Sequence, residues 1–299
     1  MEKKGMEQLS RIIGKYKGNE KGPLLLVTAG VHGNEPSGVK ALQNIFAELE
    51  LKKPAMKGVF LGVSGNLEAL RQGQRFIDED LNRTWTQENL EKKESNTHEI
   101  EEMNEIIEVL KDYPKENFPE RYFIDCHTTS SDSLPYISVQ EVGKNDAFAH
   151  KFPLYIVRGF SDIVNGSIDK YFSEHNFTGF TFEGGQHTAE ATLNNQKAMI
   201  LLALKEVNAL DLQAFSNESM KQIFGKQKTF EIIYRHGLQE NDDFKMEPGF
   251  KNFEKIEKGQ LLATQNGEEI RSKWNATIFM PLYQAQGNDG FFVIEDVSG

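Results

Sequence analysis

Cysteine is almost missing: Cys126 is the only one in 299 residues. No intrachain disulfide can form, so a disulfide-stapled secreted scaffold is excluded and the fold must rest on packing and hydrogen bonds. Basic residues are also in deficit, 34 against 45 acids, for a formal net charge of −11. That balance argues against a nucleic-acid partner and against an anionic membrane surface. No apolar run is long enough to span a bilayer, and Met1-Glu2-Lys3-Lys4-Gly5-Met6-Glu7 has no apolar signal-peptide core. Internal repeats and low-complexity tracts are absent as well. The expectation is a cytoplasmic globular protein, long enough for one large domain or for a domain with a smaller companion.

What is present is alternation of two periods. Leu24 to Val27 is an apolar run that reads as a buried strand, preceded by a short strand over 11–16. Pro36 opens a helix whose residues Val39, Leu42, Ile45, Phe46 and Leu49 form one apolar stripe. Residues 58–64 form another buried strand. Further strands are expected over 121–127, 136–139, 154–157 and 178–185. Helices are expected after Asn96-Thr97, over 146–152, over 167–175 and over 189–212. This pattern predicts an α/β fold, a mixed twisted sheet flanked by helices. Beyond Gly225 the texture changes to short apolar pieces (229–235, 249–253, 259–264, 276–282 and 291–294) with frequent Gly and Asn. A small all-β C-terminal subdomain is expected there, dividing the chain into 1–222 and 223–299.

Four places carry chemistry. The loop between the strand ending at Ala29 and the helix at Pro36 holds His32 and Glu35, and Gly30 and Gly33 let it bend. His-x-x-Glu is a weak signal alone, since a polar loop with an acid at a helix N-terminus has the same look. In the strand Asp125-Cys126-His127, side chains alternate, so Asp125 and His127 share a face while Cys126 points the other way. Asp125 is then a partner for His127, and Cys126 reads as a small buried hydrophobe rather than a nucleophile. Glu183 stands on the face opposite Phe180 and Phe182, at a strand terminus before Gly184-Gly185, where open α/β sheets place ligands. The stretch from Arg75 to Trp85 has no clean period and would pass for a solvated connection, except that Asn82-Arg83 offers donors suited to a carboxylate. His98 reads as a surface residue and His150 as a structural or exposed one. Together these are parts for metal-assisted hydrolysis. Two His and one Glu can hold zinc with a position left open, an unligated Glu can act as general base, and arginines can meet developing and fixed negative charge.

At this point the pattern resembles a known family. His32-Gly-Asn-Glu35, then Arg75 followed by Asp80-Leu-Asn82-Arg83, then Asp125-Cys-His127, then Glu183-Gly-Gly look like the succinylglutamate desuccinylase/aspartoacylase family of the zinc carboxypeptidase-like fold. The resemblance runs over nearly the whole chain. It implies His32, Glu35 and His127 as zinc ligands, Glu183 as general base, Arg75 as the oxyanion-stabilising arginine, and Asn82 with Arg83 as a carboxylate clamp. It also implies hydrolysis of a small anionic N-acyl amino acid or similar amide, with the β-subdomain narrowing access. An oligomer stays open. Two departures stand out. Aspartoacylases carry a substrate-binding arginine about ten residues before the Glu, where this chain has Ser173 with Lys170 the nearest cation. Their C-terminal substrate-binding tyrosine has no good match among Tyr283, Phe291 and Phe292. The alternatives are a zinc carboxypeptidase acting on short peptides, a metal-binding regulatory protein without catalysis, and a cysteine hydrolase using Cys126.

Overall fold

The computed structural model describes residues 9–92, 96–140, 143–160, 163–211 and 226–298. The first half contains strands β1 (Ile12–Lys17), β2 (Glu20–Ala29), β3 (Lys57–Ser64) and β4 (Arg121–Thr129) with helices α1 (Ser37–Lys52), α2 (Leu67–Gln72), α3 (Gln87–Glu91) and α4 (His98–Leu110). There follow β5 (Tyr136–Val139), α5 (Lys144–Ala149), β6 (Tyr155–Arg158), α6 (Ile168–Glu174), β7 (Thr178–Gln186) and α7 (Glu190–Glu206). The C-terminal part is all strand: β8 (Lys228–Gly237), β9 (Phe244–Met246), β10 (Lys255–Ile256), β11 (Leu261–Gln265), β12 (Glu268–Arg271), β13 (Ala276–Phe279) and β14 (Asp289–Asp296).

Eleven strands make one mixed sheet in the order β1-β3-β2-β4-β7-β5-β6-β8-β14-β13-β10, and β12-β11-β9 make a second, smaller one. Strands β3, β2, β4 and β7 run parallel. In β2, Leu25, Val27 and Ala29 pack with α1 and α7 on one face, while Leu24 and Leu26 pack with Met103 and Ile106 of α4 on the other. Burial on both faces is why this strand reads as a continuous apolar run instead of an alternation. The expected α/β class with a mixed sheet flanked by helices is what the chain forms.

Local boundaries differ in informative ways. The last long helix stops at Glu206 and not near 212; Asn208 follows with φ 55°, and Leu210 bridges back to Met56. Residues 249–253, expected as a short strand, form turns because Gly249 and Phe253 both take positive φ. The charged composition of β12 does not predict a strand. It forms because Asn266-Gly267, both at positive φ, makes a two-residue hairpin turn that pairs Gln265 with Glu268. The expected division at 222/223 lies outside the described residues. On either side of that stretch, β6 and β8 pair in parallel from Tyr155 opposite Lys228 to Arg158 opposite Glu231, so β8, and with it β14, β13 and β10, extends the same sheet.

Candidate metal centre and active site

The site forms where adjacent parallel strands end. Ala29 of β2 sits opposite Cys126 of β4, and His127 of β4 sits opposite Glu183 of β7. The loop after β2 therefore emerges beside His127, and Glu183 lies next to it on the neighbouring strand, at the carboxyl ends where crevices open. The loop is tightly constrained. Gly30 has φ +70°, and a Cβ on Gly33 would fall 2.0 Å from the carbonyl carbon of Ala69. Gly30 thus supplies conformational freedom, whereas Gly33 supplies room. The amide of Glu35 donates to the His32 carbonyl at 3.1 Å, which turns both side chains to one side.

Three buried side chains converge there. His32 Nδ1 lies 2.8 Å from Glu35 Oε1, and His127 Nδ1 lies 3.2 Å from Glu35 Oε2. One donor atom from each of the three lies within 4.8 Å of the others. The opposite ring nitrogens are both held by carboxylates: His32 Nε2 by Asp80 Oδ1 at 3.1 Å and His127 Nε2 by Asp125 Oδ2 at 2.8 Å. Asp125 accepts in turn from Thr28 Oγ1 at 2.6 Å, so the expected partner of His127 is itself fixed. Such outer carboxylates orient imidazoles and leave the inner nitrogens free to ligate. Burial works against ionising Glu35, yet His32 and His127 hold its carboxyl well below the usual range. Burial likewise opposes a charged His127, but Asp125 and Glu35 keep its imidazolium well above the usual value. The donor set and the carboxylate behind each imidazole fit a divalent cation of borderline softness such as zinc.

Glu183 is 7% exposed, and its Oε2 has no hydrogen-bond partner among the described residues. Burial pushes its carboxyl up to about 8, against the pull of His127. Arg75 places Nη2 3.0 Å from Asp80 Oδ2 and Nη1 3.6 Å from Glu35 Oε1. Burial would lower its pKa, but Asp80 and Glu35 outweigh that and raise it. Arg83 donates to Asp289 Oδ2 at 3.1 Å and to the Asn82 carbonyl at 2.9 Å. The Asn82 side-chain oxygen accepts from Ile168 N at 3.0 Å, tying the Leu81–Arg83 turn to the start of α6. All seven residues singled out from the sequence therefore lie around one cavity.

Two further carboxylates matter here, and sequence reasoning misses both. Asp80 holds His32, Arg75 and the amide of Asn82 at once. Its carboxyl is held well below the usual range by His32 and Arg75 despite burial. In the sequence it stands at the head of Asp80-Leu-Asn82-Arg83, but nothing there assigns it a role. Glu99 of α4 has no exposed surface. It accepts from Asn66 Nδ2 at 2.8 Å and from the amides of Ile77, Asp78 and Glu79 at 2.7, 3.1 and 3.2 Å. A fully buried acid thus shapes the loop that carries Arg75, Asp80 and Arg83, which explains why that loop has no period of its own. In sequence, Glu99 looks like one more acid of a solvated helix face.

The remaining candidates sort out by position. Cys126 is 1% exposed within the apolar core, and burial pushes its thiol well up, so it has neither access nor thiolate character. Ser173 hydrogen-bonds Asn145 Nδ2 and the Asp169 carbonyl and does not line the cavity. His98 sits on Glu102, and His150 on Thr229; neither lines the cavity. The roof comes from the C-terminal part. Gln284 accepts from Asn34 Nδ2 at 3.0 Å, Gln286 accepts from Arg75 N at 3.3 Å, and Met280 and Phe292 complete the wall.

Comparison with known proteins gives the chain a family and related folds. The model of the succinylglutamate desuccinylase/aspartoacylase catalytic domain matches residues 21–205. The chain belongs to that family. The succinylglutamate desuccinylase of Serratia proteamaculans is 23% identical over 265 residues, covering 84% of this chain and 78% of its own. Among solved structures, the succinylglutamate desuccinylase of Vibrio parahaemolyticus is similar with a TM-score of 0.69 at 14% identity, over 99% of this chain and 94% of its own. Murine aminoacylase 3 is similar with a TM-score of 0.64 at 17% identity, over 94% and 97%. At those identities the structural likeness shows the fold. Membership in the succinylglutamate desuccinylase/aspartoacylase family implies a hydrolase acting on N-acyl amino acids. Among the described residues no helix is long and apolar enough to cross a membrane.

Proposed function

We propose that this chain is a zinc-dependent amidohydrolase that cleaves small N-acyl amino acids. The observation that carries the reading is the convergence of His32, Glu35 and His127 beside a buried Glu183 oxygen without a hydrogen-bond partner among the described residues. His32, Glu35 and His127 would hold the ion, with Asp80 and Asp125 orienting the two imidazoles. When bound, zinc supplies Lewis acidity, which brings the pKa of water toward about 7 and polarises a carbonyl.

The chain's own groups do the rest. Glu183 Oε2 takes the proton of the attacking water and delivers it to the leaving amine nitrogen. Burial raises the proton affinity of Glu183, which helps it keep the proton between the two halves of that transfer. Arg75, held in place by Asp80, meets the negative charge that develops on the carbonyl oxygen. Arg83, held by Asp289 and backed by Asn82, meets the substrate carboxylate. The wall around Met280, Leu282 and Gln284 keeps the space small, about 70 and 100 Å³ in two adjoining lobes, which favours small acylated amino acids over longer peptides. The net charge of −11 argues against nucleic-acid and anionic-membrane partners.

The test combines elemental analysis of protein purified without added metal with a panel of N-acyl amino acids and dipeptides. About one zinc per chain and turnover of acyl amino acids over dipeptides is the expected result. Preference for dipeptides would turn the reading toward a carboxypeptidase. A metal-loaded chain that cleaves neither would leave a binding protein.

A further inference from the structure

The two lobes of the cavity are chemically different. The first is walled by residues 128–131 and by the segment around Gln284 and Asn288. The second, about 100 Å³, is walled by Ser138, Gln140, Phe160, Asp169 and Thr181. Asp169 is 2% exposed, and its carboxylate accepts from Thr181 Oγ1 and from Lys170 N, each at 2.9 Å. Among the described residues it has no cationic partner. Burial raises its pKa. The arginines of that wall among the described residues are Arg75, matched by Asp80 and Glu35, and Arg83, which shares Asp289 with Arg235. Gln140, 8% exposed, adds a side-chain oxygen without a partner among the described residues.

A buried carboxylate facing a cavity without a counter-ion has two ways to relieve its desolvation, protonation or a cation from outside. A substrate side-chain carboxylate set opposite Asp169 would put like charges against each other in a medium of low dielectric. We infer that this lobe takes an amine-bearing side chain opposite Asp169, so that the preferred substrates are N-acyl diamino acids and not N-acyl dicarboxylic amino acids. The inference rests on the hydrolase reading above and narrows its substrate class. The α-carboxylate still goes to Arg83. The charge that distinguishes the substrate is then the positive one on its side chain.

The test uses the zinc-loaded full chain with three substrates matched in length: Nα-acetylornithine, N-acetylnorvaline and N-acetylglutamate. The expected kcat/KM for the ornithine compound exceeds that of the other two by about tenfold or more, as an ion pair in a buried pocket allows. In Asp169→Asn the advantage of ornithine over norvaline collapses toward one. An equal or better rate with N-acetylglutamate in the wild-type chain overturns the inference without touching the hydrolase reading. The wild-type panel needs no variant, so it decides the matter even where Asp169→Asn folds poorly. If none of the three is cleaved, the hydrolase reading fails for this class, and calorimetric titration with free ornithine, norvaline and glutamate decides the lobe separately. Tighter binding of ornithine, weakened by Asp169→Asn, supports it; equal binding of all three, or tighter glutamate binding, overturns it.

Discussion

In the parallel part of the long sheet, β3, β2, β4 and β7 are buried almost end to end; in the antiparallel part, β8 alternates between covered and exposed positions. The parallel strands have helices on both faces and end together, so side chains at and just beyond their carboxyl ends crowd into one crevice. His127, Glu183 and the His32–Glu35 loop all come from there. The antiparallel part contributes no candidate metal ligand among the described residues, but it supplies Met280, Leu282, Gln284, Asp289 and Phe292 as wall. Reactive groups thus come from the half whose strands converge, and the shape of the space comes from the half that folds over it. The two roles can be separated by experiment.

The largest effect belongs to the first half. Glu183→Gln removes the base while leaving His32, Glu35 and His127 intact, so kcat should fall by about 10³-fold with metal content unchanged. Steady-state kinetics beside elemental analysis checks this, and comparable turnover would take the base role away from Glu183. Next comes Asp289→Ala, a change in the wall. It frees Arg83, and KM for an acylated amino acid should rise by about tenfold with a smaller change in kcat. If kcat fell as far as in Glu183→Gln, the division between chemistry and wall would not hold.

Glu99→Gln sharpens the comparison from outside the cavity. The carboxylate satisfies four donors, and replacing one oxygen by an amide sets N–H against N–H. A loss of about 2 kcal/mol in chemical denaturation is expected, with a fall in kcat/KM as the Arg75–Arg83 loop loosens. An unchanged denaturation midpoint would show that the loop holds its shape without Glu99.

The smallest effect lies at the far strands, where Lys228 Nζ stands 2.5 Å from Asp296 Oδ2. The hydrogen bonds from Lys228 and Ser298 bring the Asp296 carboxyl down to about 2. With the folded value depressed, the stabilisation is present above the ordinary Asp value of about 3.9 and is lost as pH falls through about 2. Asp296→Asn should therefore be slightly less stable than the parent near neutrality, and the gap should close on acidification. A gap in denaturation midpoint that widened in acid would contradict the pairing.

Much of this is readable one strand at a time. Alternation within Asp125-Cys126-His127 separates the thiol from the imidazole, and Cys126 is buried in the core while His127 faces the site. The apolar run at Leu24–Val27 marks a strand covered on both faces. Asp80, Glu99 and Asp169 are not readable, because nothing local distinguishes an acid that holds a histidine, an acid that folds a loop and an acid that faces water. Each takes its role from partners far along the chain: His32 for Asp80, three amides of another loop for Glu99, and a cavity wall for Asp169.

By itself the sequence determined the kinds of element and the kinds of donor: buried strands, amphipathic helices, a His and Glu three apart, and a second His and Glu at strand ends. Those follow from periodicity and residue chemistry, which act over a few positions. Tertiary structure alone decided that β4 lies between β2 and β7, which puts His127 opposite Glu183 and beside the His32–Glu35 loop. It also decided that the C-terminal strands fold over that crevice and that Asp169 faces it without a cationic partner among the described residues. Strand order and burial depend on how the whole chain excludes water, and no short stretch of residues contains that information.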